Sequence, residues 1–288
     1  MVILLDYLTR HGFEPITLTN ENVNGPIYNT RSDSYRYHDI PSTVPMKYLP
    51  DLQLKSSSQV QAALQQDLDI ANWVPLSRPR PIRNERAFQS EVIHRLIIPY
   101  TRRAIEVGNP ELTVCDGDEW PGQGQQGKPD VSFVQWGGRG CDGEEYRMRF
   151  PLEVKLSHSW KPGWRTSTDI KERREYRQVL SQIHYYMDQW ERRYGGVLTD
   201  QALVIVERMQ PPTGTDYEAY GKICVYDAIP WEAHGHFAID DLHDQSTLPL
   251  ALWCMATRSD HYMPGHDSGV SAVHSTDQSD DEDFVMED

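Results

Sequence analysis

From Tyr146 to Leu156 the chain alternates, with Met148, Phe150, Leu152, Val154 and Leu156 on every second position and Glu153 and Lys155 in the last two gaps. Successive side chains of a strand turn to opposite faces, so this stretch predicts a β-strand with one apolar face. Glu153 and Lys155 then share the other face. Val131–Trp136 is a second strand candidate. The segment between, Gly137 to Glu145, holds four glycines and reads as a loop joining two antiparallel strands. Leu112 to Cys115 is a shorter candidate ahead of both.

Helical patterns bracket these strands. Asn84 is placed to cap a helix that begins at Glu85, in which Phe88, Val92, Leu96 and Tyr100 recur every four residues. Pro99 is a possible kink in it, and Gly108-Asn109-Pro110 closes it. Glu85 and Glu91 each lie three residues from Phe88, within reach of its inward face. Asp169 to Tyr194 carries the clearest helical stripe (Tyr176, Val179, Leu180, Ile183, Tyr186, Met187, Trp190), and Gly195-Gly196 is expected to end it. Ala202–Val206 and Lys222–Tyr226 read as further strands, and Ser246–Ala256 as a last amphipathic helix. Near the start, Met1–His11 and Ser58–Ile70 have helical spacing, Thr17–Pro50 looks irregular, and three prolines between Pro75 and Pro81 forbid a helix there. Helix, three strands, helix, strands is the order of an α/β protein with a mixed central sheet flanked by helices. The expected division is a partly irregular N-terminal extension over residues 1–80, a domain over 82–258 and a disordered acidic tail over 264–288.

Two neighbouring texts carry the chemistry: Lys128-Pro129-Asp130-Val131 on one strand and Pro151-Leu152-Glu153-Val154-Lys155 on the next. If the strands set Asp130 beside Glu153, two carboxylates and one ammonium converge. Such carboxylates suit Mg²⁺ or Mn²⁺, which prefer oxygen ligands and retain several waters. The ion polarises a phosphoryl oxygen and lowers the pKa of a bound water, and Lys155 is placed to position that water or to stabilise charge growing on the phosphate. The backbone carbonyl of Val154 is a further candidate ligand. Metal-dependent hydrolysis of a phosphodiester is the reaction such a group fits.

Asp130, Glu153 and Lys155 also resemble the motif of the PD-(D/E)XK nuclease superfamily, including its Pro-Asp start. Over roughly residues 82–258 the chain is similar to uncharacterised fungal PD-(D/E)XK nuclease-like proteins, notably between Tyr176 and Val206. The resemblance implies a restriction-endonuclease-like fold and an acidic residue on the preceding helix that helps to hold metal. Glu85 fits that role best, with Glu91 as the alternative. It further implies a Gln-x-x-x-Tyr pattern on the following helix, matched by Gln182 and Tyr186, which aims Gln182 at the site or the substrate backbone. Nucleic acid, DNA in preference to RNA, is the implied partner. A catalytically inactive nuclease fold acting as a binding module is the alternative.

Charge bears on that alternative. A formal net charge of -15 argues against a protein that coats nucleic acid through its overall field. Arginines nevertheless gather at Arg78, Arg80, Arg83, Arg86, Arg95, Arg102 and Arg103, and a second basic group runs Lys161, Arg165, Lys171, Arg173, Arg174, Arg177. Both flank the acidic pair. The four cysteines form no CxxC pair and read as reduced thiols. No stretch is long and apolar enough for a membrane span, and Asp6 interrupts the apolar opening, so neither membrane attachment nor a signal peptide is expected. The expected location is intracellular, in nucleus or cytoplasm. Gly122 to Lys128 imitates phosphate-binding loops, yet no strand precedes it and Pro129 follows where a helix is needed, so nucleotide binding is set aside. Trp160 and Trp164 are candidates for stacking on bases, or for packing a loop onto the domain. His158, His184, His234 and His236 show no zinc spacing.

Overall fold

The structure, a computed structural model, describes residues 2–10, 16, 18, 29, 35–40, 42–46, 58–68, 82, 84–108, 111–117, 128–136, 146–209, 222–233 and 247–257. The glycine-bearing segments 122–127 and 137–145, the acidic tail, His234 and His236 lie outside these residues. So do Arg78, Arg80 and Arg83, and the side chains of Glu91, Val92, Arg95 and Leu96.

The protein is a mixed α/β structure. Its strands are β1 (Val2–Ile3), β2 (Thr43–Met46), β3 (Asp67–Leu68), β4 (Leu112–Asp116), β5 (Val131–Trp136), β6 (Tyr146–Val154), β7 (Tyr194–Leu198), β8 (Ala202–Arg208), β9 (Ile223–Tyr226) and β10 (Ile229–Pro230). An eight-stranded sheet runs β2-β9-β8-β7-β6-β5-β4, with β10 also beside β8, while β1 and β3 form a separate pair. β4, β5 and β6 are an antiparallel meander, and β6 and β7 run parallel. A parallel pair needs a long crossover. The helix α4, which we number after α1 (Leu4–Arg10), α2 (Ser58–Leu64) and the composite rod α3 (Glu85–Gly108), supplies it over Ile170–Gln189. The last helix, α5, spans Leu248–Thr257.

The two sheet faces bury separate cores. On one, Phe150, Leu152, Val154 and Leu156 pack with Leu4 and Leu8 of α1, Phe88 and Ile97 of α3, and Trp253 of α5. On the other, Val179, Ile183 and Met187 of α4 pack with Val197, Val204, Trp160 and Ile40. The alternation along β6 therefore sends its apolar residues to the α3 side and leaves Glu153 and Lys155 under α4.

Several elements depart from the sequence reading for identifiable reasons. Asn84 does cap α3, its Oδ1 accepting from Ala87 N at 2.8 Å. The rod then passes through a π-helical stretch, Gln89–Ile97, in which Ile98 N donates to Ile93 O, just ahead of Pro99. Phe88, Ile93, Ile97 and Tyr100 are buried along the rod. α4 ends at Gln189 and not at the glycine pair. Glu191 takes a left-handed φ of 53°, Arg192 N donates to Met187 O and Glu191 N to Asp188 O, which is a Schellman closure without glycine. Gly195 and Gly196 lie instead within β7, where space decides. A Cβ at Gly196 would stand 2.9 Å from Leu152 Cδ1 and 2.9 Å from Phe150 Cζ. Gly196→Ala is expected to cost about 1–3 kcal/mol by overpacking, read as a lower urea midpoint at unchanged m-value. Last, α5 is buried on every side from Leu248 to Ala256, so it is a core helix and not an amphipathic one.

Described parts of the first 80 residues join this architecture. β2 adds to the sheet edge parallel to β9, and a 3-10 turn at Tyr37–Asp39 lies against α4 with the Arg174 guanidinium 4.9 Å over the Tyr37 ring. Pro45 within β2 is tolerated because that strand is at the edge.

Candidate metal centre

Strand register brings the acidic pair together. Val131 pairs with Leu152 and Ser132 with Pro151, so one further step sets Asp130 opposite Glu153. β4 seats this end of β5: Gly117 N donates to Asp130 O at 3.0 Å. A Cβ on Gly117 would meet Pro129 O at 2.8 Å, which is why no side chain stands there.

Each charged group has named neighbours. Val154 N donates to Asp130 Oδ2 at 2.8 Å, and Gln89 Nε2 donates to Asp130 Oδ1 at 2.9 Å. Lys155 Nζ donates to Glu153 Oε1 at 2.7 Å and lies 3.5 Å from Glu85 Oε1. Lys155 N meets Leu198 O of β7, so the Val154 amide and carbonyl leave β6 on the opposite edge, toward Asp130. Glu153 and Lys155 are almost wholly buried, at 2% and 4% exposure, whereas the Glu85 side chain is 38% exposed. α3 thus brings Glu85 to the ammonium of Lys155 and Gln89, one turn further on, to Asp130.

Electrostatics makes this a stressed cluster. Burial, and next the Asp130 charge, push the Glu153 carboxyl up to about 8, against the pull of Lys155. Burial also raises Asp130, opposed by Lys155 and by the donors on its oxygens, and raises Glu85. Burial alone would lower Lys155, but Glu153, Glu85 and Asp130 outweigh it and hold the ammonium charged. The carboxyls of Asp130 and Glu153 stand within hydrogen-bonding reach of each other, and the raised Glu153 carboxyl, when protonated, is the donor to Asp130. Glu153 Oε2 is buried and accepts no hydrogen bond from the described residues. A buried carboxylate oxygen in that condition needs a proton or a cation.

α4 closes the site from above. Gln182 Nε2 donates to Tyr186 Oη at 3.1 Å, and the Gln182 Oε1 is buried without a partner among the described residues. Gln182 joins the centre through Tyr186, whose hydroxyl is raised by burial and next by the field of Glu153. Tyr35 packs 5.7 Å from Tyr185 and 6.5 Å from Tyr186 and feels Glu153, Lys155 and Asp130. Asn29 ties the same N-terminal segment down, its backbone N and Nδ2 donating to Glu175 Oε2 and its Nδ2 to Ser159 O. Sequence reasoning missed Gln89 and Tyr35. The i, i+4 spacing from Glu85 was a usable signal for Gln89; nothing in the irregular text around Tyr35 marked it.

Other candidates resolve as structure. Trp160 and Trp164 are buried, and Trp160 stacks on Tyr176 at 5.6 Å while its Nε1 donates to Tyr176 O, so these rings pack a loop and are not free for bases. His184 is a buried residue of α4, where burial and then Arg208 lower its pKa to about 3, keeping it neutral. Arg102 binds Val114 O, Arg103 pairs with Glu106 and Arg173 binds Ser167 O. Among the described residues no three His, Cys, Asp or Glu side chains form a cage for an ion. Lys155 stands between Glu85 and Glu153, so a cation here would rest on Asp130, Glu153, the Val154 carbonyl and water. That donor set fits Mg²⁺ or Mn²⁺. The chain matches no known protein-family model, no curated protein and no solved structure.

Proposed function

We propose that the protein is a metal-dependent nuclease of the PD-(D/E)XK kind that hydrolyses phosphodiester bonds, with DNA favoured over RNA. The observation that carries the reading is the buried pair of carboxyls, Asp130 and Glu153, within hydrogen-bonding reach of each other beside the Lys155 ammonium. The order α3, the β4–β6 meander, α4 and a β7 parallel to β6 supports the restriction-endonuclease-like assignment. Asp130, Glu153 and the Val154 carbonyl hold Mg²⁺ or Mn²⁺, with Glu85 at the rim. When bound, the metal polarises a phosphoryl oxygen and lowers the pKa of a water. Lys155 stabilises charge growing on the phosphate, Glu85 keeps Lys155 in place, and Gln182 orients through Tyr186. Incubating purified protein with plasmid and single-stranded DNA, with Mg²⁺ or Mn²⁺, tests this beside a Lys155→Ala control. Equal cleavage by both proteins sinks it.

Cation binding should depend on pH. The ion requires an ionised Glu153, and in the metal-free protein that carboxyl titrates near 8. Affinity for Mn²⁺ is therefore expected to rise by up to about tenfold per pH unit from pH 6 and to level off above pH 8. Calorimetry in two buffers of different ionisation heat should show about one proton released per ion at pH 7. A flat profile contradicts the assignment.

The formal net charge of -15 and the depth of Glu153 and Lys155 favour one second reading, a nuclease fold retained as a binding module. No heat of binding at millimolar Mg²⁺ would select it.

A further inference from the structure

We propose that Gln89 is a positioning residue, which together with the Val154 amide fixes the Asp130 carboxylate for a divalent cation. The inference rests on the metal-site reading above. Asp130 extends from the start of β5, where backbone pairing alone leaves its side-chain torsions open. Two donors from different elements remove that freedom: Gln89 Nε2 on Oδ1 at 2.9 Å and Val154 N on Oδ2 at 2.8 Å. Each carboxylate oxygen has one donor and keeps acceptor capacity, so an ion can share the group without displacing either bond. Outer partners of this kind orient a ligand and tune its affinity for metal.

The local fold explains why this residue can serve. Glu85 and Gln89 are one turn apart and both face the centre, Glu85 toward Lys155 and Gln89 toward Asp130. Gln89 is also the first residue of the π-helical stretch. The helix thus keeps α-helical spacing between these two polar contacts and changes register only after the second. Phe88, between them in sequence, is fully buried against Trp231, at 6.2 Å between ring centroids, and anchors the turn. Gln89 is half-buried and carries no charge, so it can orient Asp130 without competing with Lys155 for the carboxylates.

The test uses the full chain with Mn²⁺ as the probe. Gln89→Met keeps the length of the side chain and removes the donor. Calorimetric Kd for Mn²⁺ is expected to weaken about 10- to 100-fold. The electron paramagnetic resonance spectrum of the bound Mn²⁺ should change shape, which a loss of stability alone does not produce. In the unmutated protein, the Gln89 side-chain amide resonance should shift during a Mg²⁺ titration with the same midpoint as calorimetry done with Mg²⁺. If the parent binds Mn²⁺ and Gln89→Met binds it equally well with the same spectrum, the positioning role is wrong while the metal centre stands. An immobile Gln89 resonance during saturation likewise overturns the role. If the parent itself binds no Mn²⁺, the metal-site reading fails and this inference falls with it.

Discussion

Replacing Lys155 with methionine is expected to destabilise the metal-free protein by about 3–5 kcal/mol at pH 8. Lys155 is 4% exposed, and its ammonium lies 2.7 Å from Glu153 and 3.5 Å from Glu85. Removing it leaves buried negative charge uncompensated, the circumstance in which breaking a buried ion pair is most costly. The sign with pH follows from the neighbours. Lys155 titrates above its ordinary range, so its own contribution is complete below that range and constant from pH 5 to pH 8. The carboxyls change: Glu153, Asp130 and Glu85 all have raised pKa values and take up protons as pH falls. Protonation removes the stranded charge, so the deficit should shrink toward pH 5. Urea unfolding at both pH values reads this directly. Under the nuclease reading the same variant loses about 10²–10³-fold in cleavage rate. An equal deficit at both pH values would mean that Lys155 contributes packing and little else.

The centre was legible because its geometry is local. Period two along β6 fixes Glu153 and Lys155 on one face whatever surrounds them, and Glu-x-Lys needs no tertiary knowledge. Asp130 was harder, since its partner depends on a register across 137–145; Pro-Asp at a strand start was the clue. Elements that took shape through tertiary context were read less well. β2 is four mostly exposed residues containing a proline, with no alternation to detect, and it exists because β9 offers an edge. α3 widens into a π-helical stretch before Pro99, a change that periodicity at 3.6 cannot anticipate. Gly195-Gly196 has the composition of a helix stop, yet it serves close packing of β7 between Met187 on one side and Leu152 on the other. The roof of the centre was illegible for a related reason: Tyr35 arrives from a segment with no pattern, and only the aromatic contacts with Tyr185 and Tyr186 reveal its place.

Glu153→Gln should do two opposite things, and the opposition separates a functional carboxylate from a structural one. It is expected to stabilise the metal-free protein at pH 8 by roughly 2–4 kcal/mol while abolishing tight Mn²⁺ binding. In the parent, folding holds the Glu153 carboxyl near 8, well above its unfolded value, so the folded state binds this proton more strongly. The contribution of Glu153 to stability is then complete below the unfolded pKa, about 4.3, and is lost as pH rises toward 8. Glutamine imitates the protonated form at every pH. The variant and parent should thus unfold alike near pH 4 and diverge as pH rises, with the variant the more stable. Burial and the repulsion of Asp130 drive this, and Lys155 still has Glu85 and Asp130 for charge. A residue present for stability would show the reverse, since removing it would weaken the fold. One carried at a cost to the fold is retained for what it binds. Saturating Mn²⁺ should reverse the ranking, because the parent gains binding energy on folding and the variant does not. A variant less stable than the parent at pH 8 without metal would make Glu153 an ordinary partner of Lys155 and remove the strain on which the metal assignment depends.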